Sequence, residues 1–367
     1  MIAPRPSPAS VALLAFVTWA AGASPCLAQG AFPDPPRIVH TLTPEDGQES
    51  WLVETRLGGD EPRRLFAVPH VRGGAPIPVL SPDGRFVAYT TVNDITRGRL
   101  HADLVVVDLL GGASRTLSRV VLHARPVFDR FGIELYAVRI RHRVPPRPSR
   151  PEGPIYHPPS VWRLVALSSA DGTERDLAVE STSRLEVIGV SRHGEVIVVR
   201  EDARDGAILA LDPQTGATRV VLPLGSAATT DVSLSPLDDR LLLARSVGAS
   251  RRRWEIVLCE LDGRARVLRR ERRGDLRPFR VGGSVMFAGR RGGPLRVIDL
   301  EGHELPRTQT RESTTRHRVI AATPDGRITV MRRDTPEGYG FVALDREAAF
   351  AVPLTDGGVV VDVAGFR

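Results

Sequence analysis

Apolar positions along the chain fall into short runs, rich in β-branched residues and separated by turn-forming clusters. They do not follow a 3.6-residue period. Phe86–Thr91 (FVAYTT), Leu104–Val107 (LVVV) and Ile208–Leu211 (ILAL) are typical, and each reads as a strand. One recurring element is a turn followed by such a run. The clearest copy is Ser81-Pro82-Asp83-Gly84-Arg85 before Phe86, and Thr323-Pro324-Asp325-Gly326 before the run RITVM is close to it. Weaker copies centre on Gly132, Gly194, Asp238 and Gly283. In this turn Pro presets φ, Asp caps the backbone, and Gly takes the position that needs φ > 0.

A second element follows: an apolar strand, a Gly/Asp turn and a strand ending in Leu or Val. Its copies are 51–68, 104–118, 164–179, 208–222, 256–268, 295–307 and 341–354, seven hairpins in all. The turn centres Gly84, Gly132, Gly194, Asp238, Gly283 and Gly326 are spaced 48, 62, 44, 45 and 43 residues apart. A four-stranded propeller blade takes ~40–45 residues, whereas β-solenoid repeats are much shorter. The pattern therefore predicts an all-β chain forming one β-propeller of seven four-stranded blades, with six and eight as the alternatives. The unmatched strand Val359–Val363 and the strand Ile38–Leu42 are expected to pair and close the ring, removing two exposed edges.

The turn Ser81–Arg85 with Phe86-Val87-Ala88-Tyr89, and the Gly-Gly hairpin after it, resembles the repeat of TolB-type propellers. The chain resembles WD-repeat-like propellers too, and the repeat is similar to that of the propeller domains of prolyl-oligopeptidase-like enzymes. The resemblance covers residues 37–367 and is closest at 81–118 and 323–344. It implies an exported bacterial propeller that works as a protein-interaction platform. TolB proteins carry an α/β domain before the propeller, and the stretch between residues 29 and 37 leaves no room for one.

Composition agrees with a strand-and-turn fold: 34 glycines and 30 prolines would be poorly tolerated in a helical bundle. All 50 basic residues are arginine, against 43 acids, for a formal charge of +7. Runs occur at Arg251–Arg253, Arg269–Arg273 and Arg316–Arg318, but acids are interleaved and no aromatics alternate with the arginines. Solvated loops account for them, and no nucleic-acid partner is expected. At the N-terminus Arg5 precedes the apolar run Val11–Ala23, and Cys26-Leu27-Ala28 fits a cleavage site ahead of Gln29. That run is short for a membrane span and right for a signal-peptide core. The expected organisation is a signal peptide at 1–28, a Pro-rich spacer at 29–36 and a propeller at 37–367. The mature chain is expected in the periplasm or outside the cell, without a transmembrane segment.

No Gly-x-Ser-x-Gly elbow, HExxH or phosphate-binding glycine loop occurs. No catalytic residue, metal site or cofactor is expected. Cys26 falls in the leader, which leaves Cys259 without a disulfide partner. The one irregular spacing, 62, contains the stretch 142–160 (HRVPPRPSRPEGPIYHPPS). Arg143, Arg147, Arg150, Tyr156, His157 and Trp162 are the candidate partner-binding residues: guanidiniums for carboxylates or phosphates, and aromatics as buried anchors. A plain connector is the alternative. Two functions remain at this stage: a non-enzymatic binding platform for an envelope protein or other ligand, and an exported lyase, lactonase or glycosidase with its site at the propeller axis.

Overall fold

The computed structural model describes residues 36–45, 47–58, 61–93, 101–142, 160–182, 184–201, 205–225, 227, 229–248, 253–272, 276–288, 295–305, 316–335, 338–347, 350–356 and 359–367. The expected signal peptide and nearly all of the spacer lie outside them. Among the described residues every regular element is a β-strand, and no helix is long and apolar enough to cross a membrane.

Sheet 1 contains β1 (Arg37–Pro44), β2 (Glu49–Arg56) and β3 (Arg63–Pro69). Sheet 2 contains β4 (Ile77–Leu80), β5 (Phe86–Thr91), β6 (His101–Asp108), β7 (Ser114–Leu122), β8 (Val127–Phe128), β9 (Glu134–His142), β10 (Ser160–Ser168) and β11 (Glu174–Ser181). Sheet 3 is β12 (Arg184–Val190), β13 (Val196–Glu201), β14 (Gly206–Leu211) and β15 (Thr218–Gly225). Sheet 4 is β16 (Thr229–Leu234), β17 (Arg240–Val247), β18 (Arg253–Glu260) and β19 (Ala265–Arg272). Sheet 5 is β20 (Phe279–Val281), β21 (Ser284–Ala288) and β22 (Leu295–Asp299). Sheet 6 is β23 (Arg316–Ala322), β24 (Ile328–Thr335), β25 (Gly338–Asp345) and β26 (Phe350–Asp356). The last strand, β27 (Val359–Phe366), joins sheet 1 in the order β27-β1-β2-β3, with Leu42 opposite Val361 and Ile38 opposite Phe366.

Each sheet is an antiparallel meander, and successive sheets pack face to face in a β-propeller arrangement. Both faces of a strand are therefore buried, which explains why the runs are continuously apolar instead of alternating. All six residues of β14 are buried, for example, and each buried aliphatic side chain contributes ~1.5–3 kcal/mol relative to exposure. Ile208 and Ala210 point toward sheet 4, while Ala207, Leu209 and Leu211 point toward β9–β11.

Five sheets have the size of one blade, three or four strands, and the remaining one has eight strands. The expected seven separate blades are thus not what the sheets show. The reason is local: β7 and β9 pair at Val121 and Arg139, which joins two meanders into one sheet. The hairpin expected at 295–307 is also incomplete among the described residues. There β22 has only an isolated bridge, Ile298 to Glu304, where the other sheets have a full outer strand.

Turn chemistry follows the sequence reading closely. The Asp83 carboxylate accepts from the Ser81 hydroxyl at 2.5 Å and from the Arg85 amide at 3.1 Å, and Gly84 closes the turn with φ 70. The Thr323–Gly326 copy repeats this with Asp325, Thr323 and Arg327. These hydrogen bonds hold both aspartates below the usual carboxylate range.

Candidate functional surfaces at the two ends of the ring

Strand direction divides the ring into two ends. The turns from first to second strand and from third to fourth strand lie at one end, called here the turn end. The connections from second to third strand, and from sheet to sheet, lie at the other, the loop end.

At the turn end one device recurs. The second residue of β7, β11, β15 and β19 is an arginine: Arg115, Arg175, Arg219 and Arg266. Each donates to a backbone carbonyl in a turn of the following meander, namely those of Ser169 (2.5 Å), Pro213 (2.5 Å), Leu261 and Leu300. Glycines in three of the following turns sit against the same strands. A Cβ on Gly302 would lie 2.5 Å from the Leu268 carbonyl oxygen, and one on Gly172 would lie 2.9 Å from that of Leu117. Arginine richness is here a property of the blade seams. A depression of about 640 Å³ at this end, between sheets 3 and 4, is lined by charges that neutralise one another. Arg219 pairs with Glu195 at 2.7 Å, and Arg240 lies near both Asp238 and Glu260.

Three polar groupings at the loop end contain buried or partly buried titratable groups. On β27, Asp362 pairs with Arg125 at 2.5 Å, and Arg125 comes from the connection between β7 and β8. Burial pushes the Asp362 carboxyl up, against the pull of Arg125 and His123. His123 Nε2 donates to the Ala75 carbonyl at 2.7 Å, and burial holds its pKa down. In the second grouping His70 Nδ1 donates to the Val71 carbonyl, and its Nε2 is hydrogen-bonded to the Ser50 hydroxyl at 2.7 Å. The Thr43 hydroxyl is hydrogen-bonded to that of Ser50 at 2.8 Å. A Ser–His pair of this length has the geometry of an activated nucleophile, but Ser50 is fully buried and its oxygen is enclosed by Thr43 and His70. It works as a brace between β1, β2 and the chain after β3. The third grouping is Glu255, flanked by Arg245 at 3.0 Å and Arg270 at 3.0 Å. Burial pushes Glu255 up, but its two guanidinium partners outweigh that and hold it low.

Among the described residues no three His, Cys, Asp or Glu side chains converge as a metal site needs. Cys259 is buried between sheets 3 and 4, and burial pushes its thiol up to about 11, away from reactivity.

Of the candidate partner-binding residues, Arg143, Arg147, Arg150, Tyr156 and His157 lie outside the described residues. The strands flanking them, β9 and β10, open toward the loop end. Trp162 is on β10, opposite Ile140 and Ser181, half-buried against the core cluster shared with sheet 3. None of Arg125, Asp362, His123, Ser50 and His70 is marked by sequence spacing, because cross-strand register and sheet closure bring them together.

No family model matches the chain, and no curated protein matches its sequence. Solved structures do match. TolB from Acinetobacter baumannii superposes with a TM-score of 0.50 at 17% identity, over 74% of this chain and 64% of that one. The fold is a TolB-like β-propeller. A prolyl endopeptidase gives a TM-score of 0.63 at 13% identity, over 89% of this chain and 50% of the peptidase. An oligogalacturonate lyase in complex with manganese gives 0.57 at 16% identity, over 85% of this chain and 92% of the lyase. This chain thus spans 64% of the TolB chain and half of the peptidase. Its structural neighbours include enzymes and non-enzymes alike.

Proposed function

We propose that this chain is a non-enzymatic binding scaffold: an exported propeller whose loop end presents surfaces to a protein of the cell envelope. The observation that carries this reading is how the loop-end polar groups are used. Ser50, His70 and Thr43 satisfy one another inside the wall, and Asp362 and Glu255 are each tied to arginine. The lyase neighbour favours the second reading, an enzyme with a site at the axis, through its 92% coverage by a chain of this size.

On the architectural side, the eight-stranded sheet counts as two blades. Its halves are joined at one residue pair and face each other across a core: Ala88 and Val106 pack on Phe128 and Leu135, and Leu104 packs near Ala137 and Val165. That reading gives seven blades, with β27 supplying the innermost strand of the first and so closing the ring at 37–367. The leader 1–28 directs the chain to the periplasm or outside the cell, and the stretch 29–36 is a spacer.

The partner surface centres on the connection between β9 and β10. Arg143, Arg147 and Arg150 offer forked donors, Tyr156 and His157 offer rings, and Trp162 anchors the base of the loop. Surplus length on a rigid scaffold is where binding loops usually sit. The test replaces residues 144–158 with a short Gly/Ser turn and compares partners captured from envelope extracts, with mass analysis of the mature N-terminus. The expected result is an unchanged melting temperature, a start near Gln29 and a lost partner. An unchanged partner profile makes the loop a connector, and an intact Met1 in the envelope fraction removes the export reading.

A further inference from the structure

The sequence separates two arginine runs, and the sheet register brings them side by side. On sheet 4, Arg253 at the start of β18 stands directly opposite Arg272 at the end of β19. Two residues further in, Glu255 stands opposite Arg270, and across the other edge it stands opposite Arg245. Val257 and Cys259, on the same side of β18, pack in the core toward sheet 3. Strand alternation therefore puts Arg253 and Glu255 on that side too, at the loop end.

Glu255 is half of the charge balance there and is already used. Its Oε2 accepts from Arg245 and its Oε1 from Arg270, and its side chain is only 9% exposed. Two arginines thus hold one carboxylate, and the Arg253–Arg272 pair lies two residues further along the same two strands. Arg253 and Arg272 are exposed, and among the described residues neither side chain forms an ion pair or hydrogen bond. On sheet 3, Glu201 at the end of β13 is held by Arg184 and Thr229. Like charges directly opposite each other destabilise an antiparallel pair. Nothing in the fold requires this one, because both positions lie at strand ends facing water.

We propose that this patch, Arg253, Arg270 and Arg272, binds a carboxylate-rich extended segment of a partner protein. Spacing favours that occupant. Arg270 and Arg272 are alternate residues of one strand, ~6.7 Å apart at ~3.3–3.4 Å per residue. An extended peptide with Asp or Glu at alternate positions repeats that interval, and each guanidinium fork matches one carboxylate bidentately. Arg253 lies ~5 Å across from Arg272 and closes on the same chain from the side. Nucleic-acid bases and sugar rings would need an aromatic platform, and among the described residues this face has none. The nearest aromatic, Trp254, points the other way into the core toward sheet 5.

This deepens the scaffold reading and rests on it. The probe is a labelled peptide of alternating glutamate and serine, followed by fluorescence anisotropy with the mature chain at low and at near-physiological ionic strength. The variant is Arg253→Glu with Arg272→Glu. Arg119→Glu with Arg264→Glu, elsewhere on the surface, is the charge-matched control. The wild type should bind with a marked salt dependence, the variant roughly ten-fold or more weakly, and the control as the wild type. Arg253→Glu alone faces Arg272 with an opposite charge and should melt no lower than the wild type. If the double reversal fails to fold, Arg253→Gln with Arg272→Gln reads the same loss. No binding by the wild type, equal weakening in the control, or displacement of the peptide by duplex DNA or anionic vesicles at lower charge concentration overturns the proposal. An envelope partner captured equally by wild type and double reversal refutes this surface but not the scaffold. Peptide binding with no envelope partner refutes the scaffold but not the surface.

Discussion

Replacing His40 with leucine should remove most of the acid sensitivity of folding between pH 6.5 and pH 4. His40 is on β1, 1% exposed, with Ile38 and Leu42 on the same side packed against Ile328, Val330 and Phe341 of sheet 6. Its Nε2 meets the Thr55 hydroxyl at 2.9 Å, and its Nδ1 makes no hydrogen bond. Burial lowers its pKa from 6.5 to about 4, and the nearby Thr41 carbonyl offsets this only in part. The imidazole is therefore neutral in the folded chain and must be charged in the unfolded one as pH falls. Because the folded pKa is the lower of the two, the unfolded state binds more protons across this window. Stability is full above pH 6.5, lower by about 2 kcal/mol at pH 5, and lower by about 3 kcal/mol below pH 4, at about 1.4 kcal/mol per pH unit.

Other groups act in the same window, among them Glu255, whose contribution is also lost as pH falls past its ordinary range. His123 is also held low and adds to the loss in the same direction. Asp362 is pushed up and works oppositely, its contribution fading as pH rises. Asp108 and Asp238, both held at about 2, matter only at lower pH. Urea unfolding of wild type and His40→Leu at pH 7.5, 5 and 4.5 is the assay. The variant should start lower by ~1 kcal/mol at pH 7.5, because Thr55 loses its partner, and then fall far less on acidification. Parallel pH profiles for the two proteins would refute the reasoning, since the lost stability would then come from another group.

Two further perturbations probe the seams. Arg219→Met removes the bond to the Leu261 carbonyl and the pairing with Glu195, and should cost ~1 kcal/mol in chemical unfolding because the site is half-exposed. Arg264→Met, at a more exposed pair, should leave it nearly unchanged. Gly302→Ala should destabilise by more than ~2 kcal/mol in the same assay, since φ is 92 and the new Cβ meets the Leu268 oxygen. Gly112→Ala, with φ 67 and open space, should cost only ~1 kcal/mol.

How far the sequence reaches depends on whether a feature is local. Turns such as Ser81–Arg85 were legible because Pro, Asp and Gly act within a few residues, and the capping bonds of Asp83 and Asp325 form where the pattern puts them. The strands were legible because burial on both faces writes them as continuous apolar runs. The blade count was less so: a single pairing, Val121 with Arg139, merges two meanders, and no composition signal marks it. The chemistry-bearing clusters were not legible at all, because each joins distant stretches. Asp362 meets Arg125 across 237 positions, and Ser50 meets His70 through the order of strands in sheet 1.

The arginines show the difference most clearly, since one residue type has two roles that composition cannot separate. At the turn end, Arg115, Arg175, Arg219 and Arg266 occupy one repeat position and spend their charge on backbone carbonyls of the next meander. Their period was present in the sequence as an arginine at the second position of four outer strands, β7, β11, β15 and β19, a signal that alignment of the repeats would have shown. At the loop end, Arg253 and Arg272 belong to runs that look alike on paper and read as solvated loops. Only the register of β18 on β19 shows that they face each other without an acid between them. A fold can use arginine as a staple wherever a carbonyl waits. Where two guanidiniums face each other and none waits, the charge is left for a partner.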